Sequence, residues 1–271
     1  MKRIVVLTSS ELRHDFLRKA IALADGIDVV RTYCEGLSGT TLDKVKQEGD
    51  EIQVRHLEAR DRSERDFFGP FVDLAPDESN PKSVDRGAIN DSDVFEEITS
   101  LDPDLLVAYG CSIVEDPLLS AFEGRFLNVH LGLSPYYRGT GTNFWPLVNG
   151  EPEFVGATFM HLDDGIDTGE VIHQLRARIH PRDSPHEIGN RLISDVATVY
   201  PEVIRKFDEL EPVENVPEPD EAKYYEKSDY STEATRKLYE NFDSGLIPEY
   251  LAEREERIEA APIVENPVLA Q

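Results

Sequence analysis

The opening stretch MKRIVVLTSSELRHDFLRKAIALADGIDVVRTYCE (residues 1–35) changes its apolar period twice. KRIVVLT is a continuous apolar run, as expected of a strand covered on both faces of a parallel sheet. ELRHDFLRKAIALAD spaces its apolar residues three and four apart, which is the helical period, and IDVVRTY returns to an apolar run. Strand, helix, strand is a βαβ unit. A parallel pair of strands needs such a crossover, so the fold class is α/β with a doubly wound, mostly parallel, Rossmann-like sheet.

The pattern extends outward from there. VFEEITSLDPDLLVAYG (94–110) reads as helix, turn and a buried strand over Leu105–Tyr109, and FEGRFLNVH (122–130) as a short strand ending at His130. FVGATFMHL (154–162) and GEVIHQLRARI (169–179) alternate on either side of DDGIDTG, a hairpin signature. From Ser184, an N-cap candidate, the amphipathic period of residues 184–210 predicts a long helix closing the main domain. The polar stretch from Gly36 to about Asn90 reads as helix over 42–72 and loop over 76–87, an insertion over the sheet edge.

With 271 residues, 39% hydrophobic and 30% charged, the chain can bury one sizeable core. We divide it into a main domain over 1–212 and an extension over 213–271. The extension comprises the Pro-rich EPVENVPEPDEA (211–222), helices over 232–242 and 247–260, and a fraying end PIVENPVLAQ. Its helices make it a helical, acidic C-terminal extension: the last 71 residues hold 19 acids and 8 bases.

The whole chain carries 54 Asp and Glu against 28 Lys and Arg, a formal net charge of −26. Such a surface repels polyphosphates and anionic membranes, which argues against nucleic-acid and membrane partners. Lysine supplies only 9 of the 28 bases, and a lysine-poor acidic surface is the expectation for a halophilic protein, since molar salt screens the repulsion within about 3 Å. Two cysteines, Cys34 and Cys111, form no disulfide framework and point to free thiols in a reducing cytoplasm. The apolar run at the N-terminus is too short for a secretory core, and no stretch is long enough to span a bilayer.

The chemistry concentrates in NVHLGLSPYYRGTGTNFWPLVNG (128–150) and FMHLDDGIDTGEVI (159–172). Ligands of open α/β sheets bind outside the carboxyl ends of strands, where Asn128 and His130 fall. Two residues apart on an extended backbone, they share a face, so an amide donor and an imidazole converge. With a carboxylate from Asp163, Asp164 or Asp167, that set suits acyl transfer without a covalent intermediate. His161 beside DDGID offers too few donors for zinc, and no metal is expected. Taken singly, each piece has a structural explanation, NVH as a strand end and DDGIDTG as a turn; together they point to a site.

N-V-H followed by L-S-P-Y-Y-R-G and then by H-x-x-D-x-G-x-D-T-G-E-V-I resembles the formyltransferase family that uses 10-formyltetrahydrofolate, most closely over residues 100–175. The resemblance implies an enzyme, with Asn128, His130 and Asp167 as the catalytic set. It implies that Tyr109, Gly110, Cys111, Ser112 and Ile113 line one wall of a folate pocket and Asp163, Asp164, Gly165 and Ile166 the other. The loop SPYYRGTGTNFW is most similar to that of the amino-sugar N-formyltransferases, which implies substrate contacts from Ser134, Tyr136, Tyr137, Arg138, Gly139 and Trp145, with Arg138 clamping a phosphate.

Departures from the pattern separate the branches. LTSSELRH lacks the Gly-rich phosphate loop of the glycinamide ribonucleotide enzyme. The acidic helical tail is unlike the barrel and basic surface of the methionyl-tRNA enzyme. No regulatory segment of the formyltetrahydrofolate hydrolase is expected ahead of Met1. The expectation is therefore formylation of a small-molecule amine, with a nucleotide-linked amino sugar as the foremost acceptor. A catalytically idle folate-binding protein, whose tail pairs with a partner or a second copy of the chain as a homo-oligomer, is the reading from a different class.

Overall fold

The computed structural model describes residues 1–36, 41–48, 50–212 and 222–269. The βαβ opening is present as β1 (Lys2–Ser9), α1 (Leu12–Ala22) and β2 (Ile27–Glu35). α2 (Thr41–Glu48) and α3 (Glu51–Leu74) follow, then β3 (Pro81–Val84), α4 (Ser92–Leu101), β4 (Leu105–Tyr109), α5 (Leu118–Ala121) and β5 (Phe126–His130). β6 (Tyr137–Gly139), α6 (Trp145–Asn149), the hairpin strands β7 (Gly156–His161) and β8 (Val171–Arg176), and α7 (Pro185–Arg205) complete the first 212 residues. The extension adds β9 (Lys223–Tyr225), α8 (Thr232–Asp243) and α9 (Leu246–Ala260).

Among the described residues the main sheet has seven strands in the order β3-β2-β1-β4-β5-β7-β8. The first five are parallel and the β7–β8 hairpin is antiparallel. The apolar runs are continuous because each strand serves two cores. Ile4, Val6, Leu105 and Val107 pack with Leu17 and Ile21 of α1 and Leu192, Val196 and Val203 of α7. Val5, Leu7, Leu106 and Ala108 pack on the other face against Val94, Ile98 and Leu118. Ser184 caps α7 in a capping box with Glu187, the N-cap role expected of it from the sequence.

The region between β2 and α4 differs from the expectations. The 76–87 stretch is not all loop: Pro81–Val84 pairs in parallel with Thr32–Glu35 as an edge strand. An edge position at a strand start tolerates Pro81, which lacks a ladder donor, and the segment has no apolar period because half of it faces water. The supposed insertion is accordingly the β2-to-β3 crossover, with α3 packed on α1 and α7 instead of standing over the edge. Most of the Pro-rich linker, 213–221, lies outside the described residues.

The C-terminal end does not fray over its described part. Val264 and Asn266 are buried, and the chain there hydrogen-bonds along β8: Gln174 N–H donates to Val264 O at 2.7 Å, and Asn266 N–H to His173 Nδ1 at 3.1 Å. β8 is a sheet edge, and this strap gives its open backbone groups partners. Leu238, Leu246, Ile247 and Tyr250 of α8 and α9 belong to the same apolar cluster as α1 and α7.

Candidate active site

The loop after β4, the end of β5, the Gly139–Phe144 loop and the β7–β8 turn enclose a cavity of about 790 Å³. Asn128 and His130 both line it from β5, and Asp167 lines it from the turn. His130 Nδ1 lies 3.1 Å from Asp167 Oδ1, with both side chains nearly buried. The second carboxylate oxygen, Asp167 Oδ2, accepts from the backbone N–H of Gly139 at 3.0 Å. Asp167 itself sits at φ 54°, a left-handed conformation that a short polar side chain tolerates better than most.

This geometry sets the tautomer. A proton on Nδ1 donates to Asp167 and leaves Nε2 as an acceptor, and Nε2 has no hydrogen-bond partner among the described residues. Burial lowers the His130 pKa below the usual histidine range, against the raising influence of Asp167 and of the Tyr137 backbone. The ring is therefore neutral at pH 7, able to accept a proton. Gly132 makes room for it: a Cβ there would fall 2.5 Å from His130 Nε2.

The turn carrying Asp167 is organised by Asp163, whose Oδ1 accepts from Gly165 N–H at 3.1 Å and from Thr168 Oγ1 at 2.9 Å. Asp163 thus serves as turn former and cavity wall together. Tyr109, Gly110, Cys111, Ser112 and Ile113 line the cavity, as do Asp163, Asp164, Gly165 and Ile166. Ile113 is 70% and Ile166 46% exposed, so two loops present bare apolar side chains to the same space. Burial and Glu35 push the Cys111 thiol up to about 12, which keeps it protonated and unreactive.

The expected substrate loop is largely corrected. Of its six residues, only Gly139 lines the cavity. Tyr137 is buried, its hydroxyl donating to Glu151 and accepting from Asn149 Nδ2 at 2.9 Å. Trp145 donates from Nε1 to Thr140 O at 3.0 Å and stacks on Tyr225 at a centroid distance of 4.1 Å. Ser134 is buried between Thr158 and Gln174, and Tyr136 bonds Pro262 O in the tail. Arg138 lies in β6, off the cavity wall. The aromatic residues turn inward because their hydroxyl and indole groups find partners in the core.

Sequence reading missed Arg13, His14 and the Thr140–Phe144 loop, all of which line the cavity. His14 is buried against Tyr109 and held neutral by burial and by Arg13. Arg13 is paired with Glu64 at 2.8 Å and with Glu11, so its charge is already balanced. Glu35 was missed as well. Fully buried at the end of β2, it accepts from Ser112 N–H and Gly87 N–H, each at 2.6 Å, and so fixes the loop after β4. An acid ending an apolar strand, in VVRTYCE, was the available signal.

The chain is similar to several known proteins. A family model described as "Formyl transferase" matches residues 2–204. A methionyl-tRNA formyltransferase of Caldanaerobacter subterraneus is 29% identical over 167 residues, 61% of this chain and 53% of its own length. A GDP-perosamine N-formyltransferase of Brucella melitensis is 29% identical over 126 residues, 46% of this chain and 48% of its own. The chain thus spans about half the length of the curated relatives it matches. Among solved structures, glycinamide ribonucleotide transformylase 1 of Symbiobacterium toebii superposes with a TM-score of 0.54 at 21% identity, over 77% of this chain and 88% of that one, a likeness of fold.

Proposed function

The chain belongs to the formyl transferase family, and from that premise we propose that it moves a formyl group from 10-formyltetrahydrofolate to the amine of a small molecule, foremost a nucleotide-linked amino sugar. The observation that carries this reading is the convergence of Asn128, His130 and Asp167 on one cavity, with His130 Nε2 left without a hydrogen-bond partner among the described residues. Bound in the cavity, the donor supplies a formyl carbon on an amine nitrogen. Ile113 and Ile166 fit it, because a flat heterocycle needs apolar surface beside exposed backbone groups.

In this mechanism His130 Nε2 takes the proton of the attacking amine, and Asp167 stabilises the imidazolium that results. The Asn128 amide donates to the formyl oxygen as it gains negative charge. His130 then returns the proton to the departing nitrogen, so the ring ends as it began. With Tyr137 and Trp145 in the core, recognition of the acceptor falls to the residues that do line the cavity, His14, Thr142 and Phe144 among them.

Two observations favour a small acceptor over methionyl-tRNA. tRNA binding rests on many Lys and Arg contacts to phosphate, whereas the last 71 residues carry 19 acids and 8 bases. The extension folds as helices against the catalytic core, with Leu238 and Tyr250 buried there. The test is incubation with 10-formyltetrahydrofolate and, separately, GDP-perosamine, other nucleotide-linked amino sugars, glycinamide ribonucleotide and methionyl-tRNA, in low and molar salt. Gain of one formyl mass on an amino sugar supports the reading. Formylation of methionyl-tRNA alone, or none of any amine, overturns it.

A further inference from the structure

The segment Lys223–Tyr225 lies beyond the family match, yet it reaches the back of the catalytic carboxylate. β9 pairs in parallel with β6, Tyr137 opposite Lys223 and Gly139 opposite Tyr225. Lys223 N–H donates to Tyr136 O at 2.9 Å, and Thr140 N–H to Tyr225 O at 2.7 Å. Between those bonds the Gly139 N–H points at Asp167 Oδ2, whose partner oxygen meets His130. A continuous line of contacts thus runs from the extension through Gly139 and Asp167 to the ring of His130.

The side chain of Tyr225 fixes this strand. Its ring lies on Trp145 at 4.1 Å and nearly parallel, at 6°, and its hydroxyl accepts from Asn149 Nδ2 at 2.9 Å. Lys223 adds an ion pair to Glu151 at 2.7 Å. The approach is so close that only glycine fits opposite: a Cβ on Gly139 would fall 2.2 Å from Tyr225 O, and the φ of 89° already excludes ordinary side chains. A three-residue pair of strands has little stability of its own, so the aromatic stack must hold it.

We propose that Tyr225 is a positioning residue: by clamping β6 from outside the family core, it holds the Gly139 N–H on Asp167, and so keeps the carboxylate in line with His130. The proposal rests on the reading above for the role of Asp167. Its consequence is that a segment far along the chain from the catalytic motifs sets the orientation of the base. Removing the ring frees β6, the carboxylate loses its backbone donor, and the Nδ1-protonated tautomer of His130 is no longer enforced.

The experiment uses the full chain and needs no acceptor. Amide hydrogen exchange at Gly139 and Thr140 and nitrogen-15 spectra of the His130 ring are compared in the parent, Tyr225→Phe, Tyr225→Ala and Leu238→Ala. We expect Tyr225→Ala to raise exchange at Gly139 and Thr140 at least about tenfold and to mix the tautomers of His130. Tyr225→Phe keeps the ring and stays within about threefold of the parent. Leu238→Ala, which loosens α8, lowers the melting temperature without either change. If Tyr225→Ala does not fold, Tyr225→Leu takes its place.

Unchanged exchange and a single tautomer in a folded Tyr225→Ala or Tyr225→Leu would overturn the proposal. So would equal effects in Leu238→Ala, since the cause would then be general loosening. The two readings fail separately. A chain that formylates nothing but shows the Tyr225 effect refutes the function and leaves the clamp standing; a working transferase without the effect does the reverse.

Discussion

The two sides of the cavity are built in different ways. One side, the end of β5 with the β7–β8 turn, carries Asn128, His130 and Asp167, the groups proposed to react, on a turn organised by partners near in sequence, Asp163 with Gly165 and Thr168. The other side, the Gly139–Phe144 loop, is held from far away, by Tyr225 at its start and by an aromatic group at its end. There Phe144 touches His56, Trp145 and Tyr230. The lesson is a division of labour: the first side spends burial on reactivity, and the second supplies rigidity that the first needs.

If that division holds, His130→Ala has the largest effect and confines it to rate. Loss of general acid–base catalysis should lower turnover roughly 10²–10⁴-fold. The melting temperature should move little, because the deleted ring has a buried Nε2 with no hydrogen-bond partner among the described residues, and Asp167, which loses the Nδ1 contact, keeps the Gly139 N–H. Rate constants and a thermal melt on the same sample check both halves. Near-parent turnover would remove His130 from the mechanism, and a large drop in stability would erase the contrast between the two sides.

Glu35→Ala tests the floor between them. It strips the partners from the N–H groups of Ser112 and Gly87, each worth about 1–3 kcal/mol when left buried and unsatisfied. We expect a loss of stability of a few kcal/mol and weakened binding of 10-formyltetrahydrofolate, with acceptor formylation restored at saturating donor. Calorimetric titration with the donor and a denaturant melt provide the readings. Unaltered donor affinity would show that the loop after β4 is fixed without Glu35.

How far this was legible depends on where the stabilising partner sits. β1, β4, β5 and α7 announce themselves because an apolar run or a capped amphipathic period is a local property. Asn128 and His130 were legible because a strand end with an unusual polar cluster is also local, whereas the DDGID cluster left Asp163, Asp164 and Asp167 open and only the family resemblance pointed to Asp167. β3, β6 and β9 were not legible: each is three or four residues long, and pairing alone makes them strands. The same limit misplaced Tyr137 and Trp145, whose polar groups are satisfied by Glu151, Asn149 and Thr140 in arrangements no spacing encodes. The roles of Arg13 and Glu35 depend on partners, Glu64 and the Ser112 and Gly87 amides, that only the fold brings to them.

Acid should strike the second side through two neighbouring histidines. His56 is lowered to about 3 and His186 to about 4, chiefly by burial, with neighbouring positive groups adding to it. Their rings lie 4.6 Å apart, behind Phe144. Both folded values fall below the unfolded value near 6.5, so the unfolded chain takes up protons first as pH drops. Stability is therefore full above about pH 6.5 and declines below it, by roughly 2 kcal/mol at pH 5 for a site such as His56. Other buried histidines add to the slope, and His56→Gln should flatten it by about one proton's share. A slope identical to the parent's would mean that the His56 ring charges freely in the folded protein.

Salt should act on both sides alike, and through the smallest force per contact. The net charge of −26 repels itself across the whole surface, and raising ionic strength from 0.1 to 1 M shortens the screening length from about 10 to about 3 Å. Opposing this, salt also weakens the ion pairs that stitch the surface, among them Arg178 with Asp195 and Lys46 with Glu58. Exposed pairs contribute about 0–1 kcal/mol each, and acids outnumber bases almost two to one, so relief of repulsion should win. We expect the melting temperature to climb steadily through a potassium chloride series, and the acid slope assigned to His56 and His186 to survive in it, since burial rather than surface potential lowers those rings. A falling series would remove halophily as the cause of the acidic composition. Loss of the acid slope in salt would move its origin from the aromatic group to the surface, and with it the distinction between the two sides.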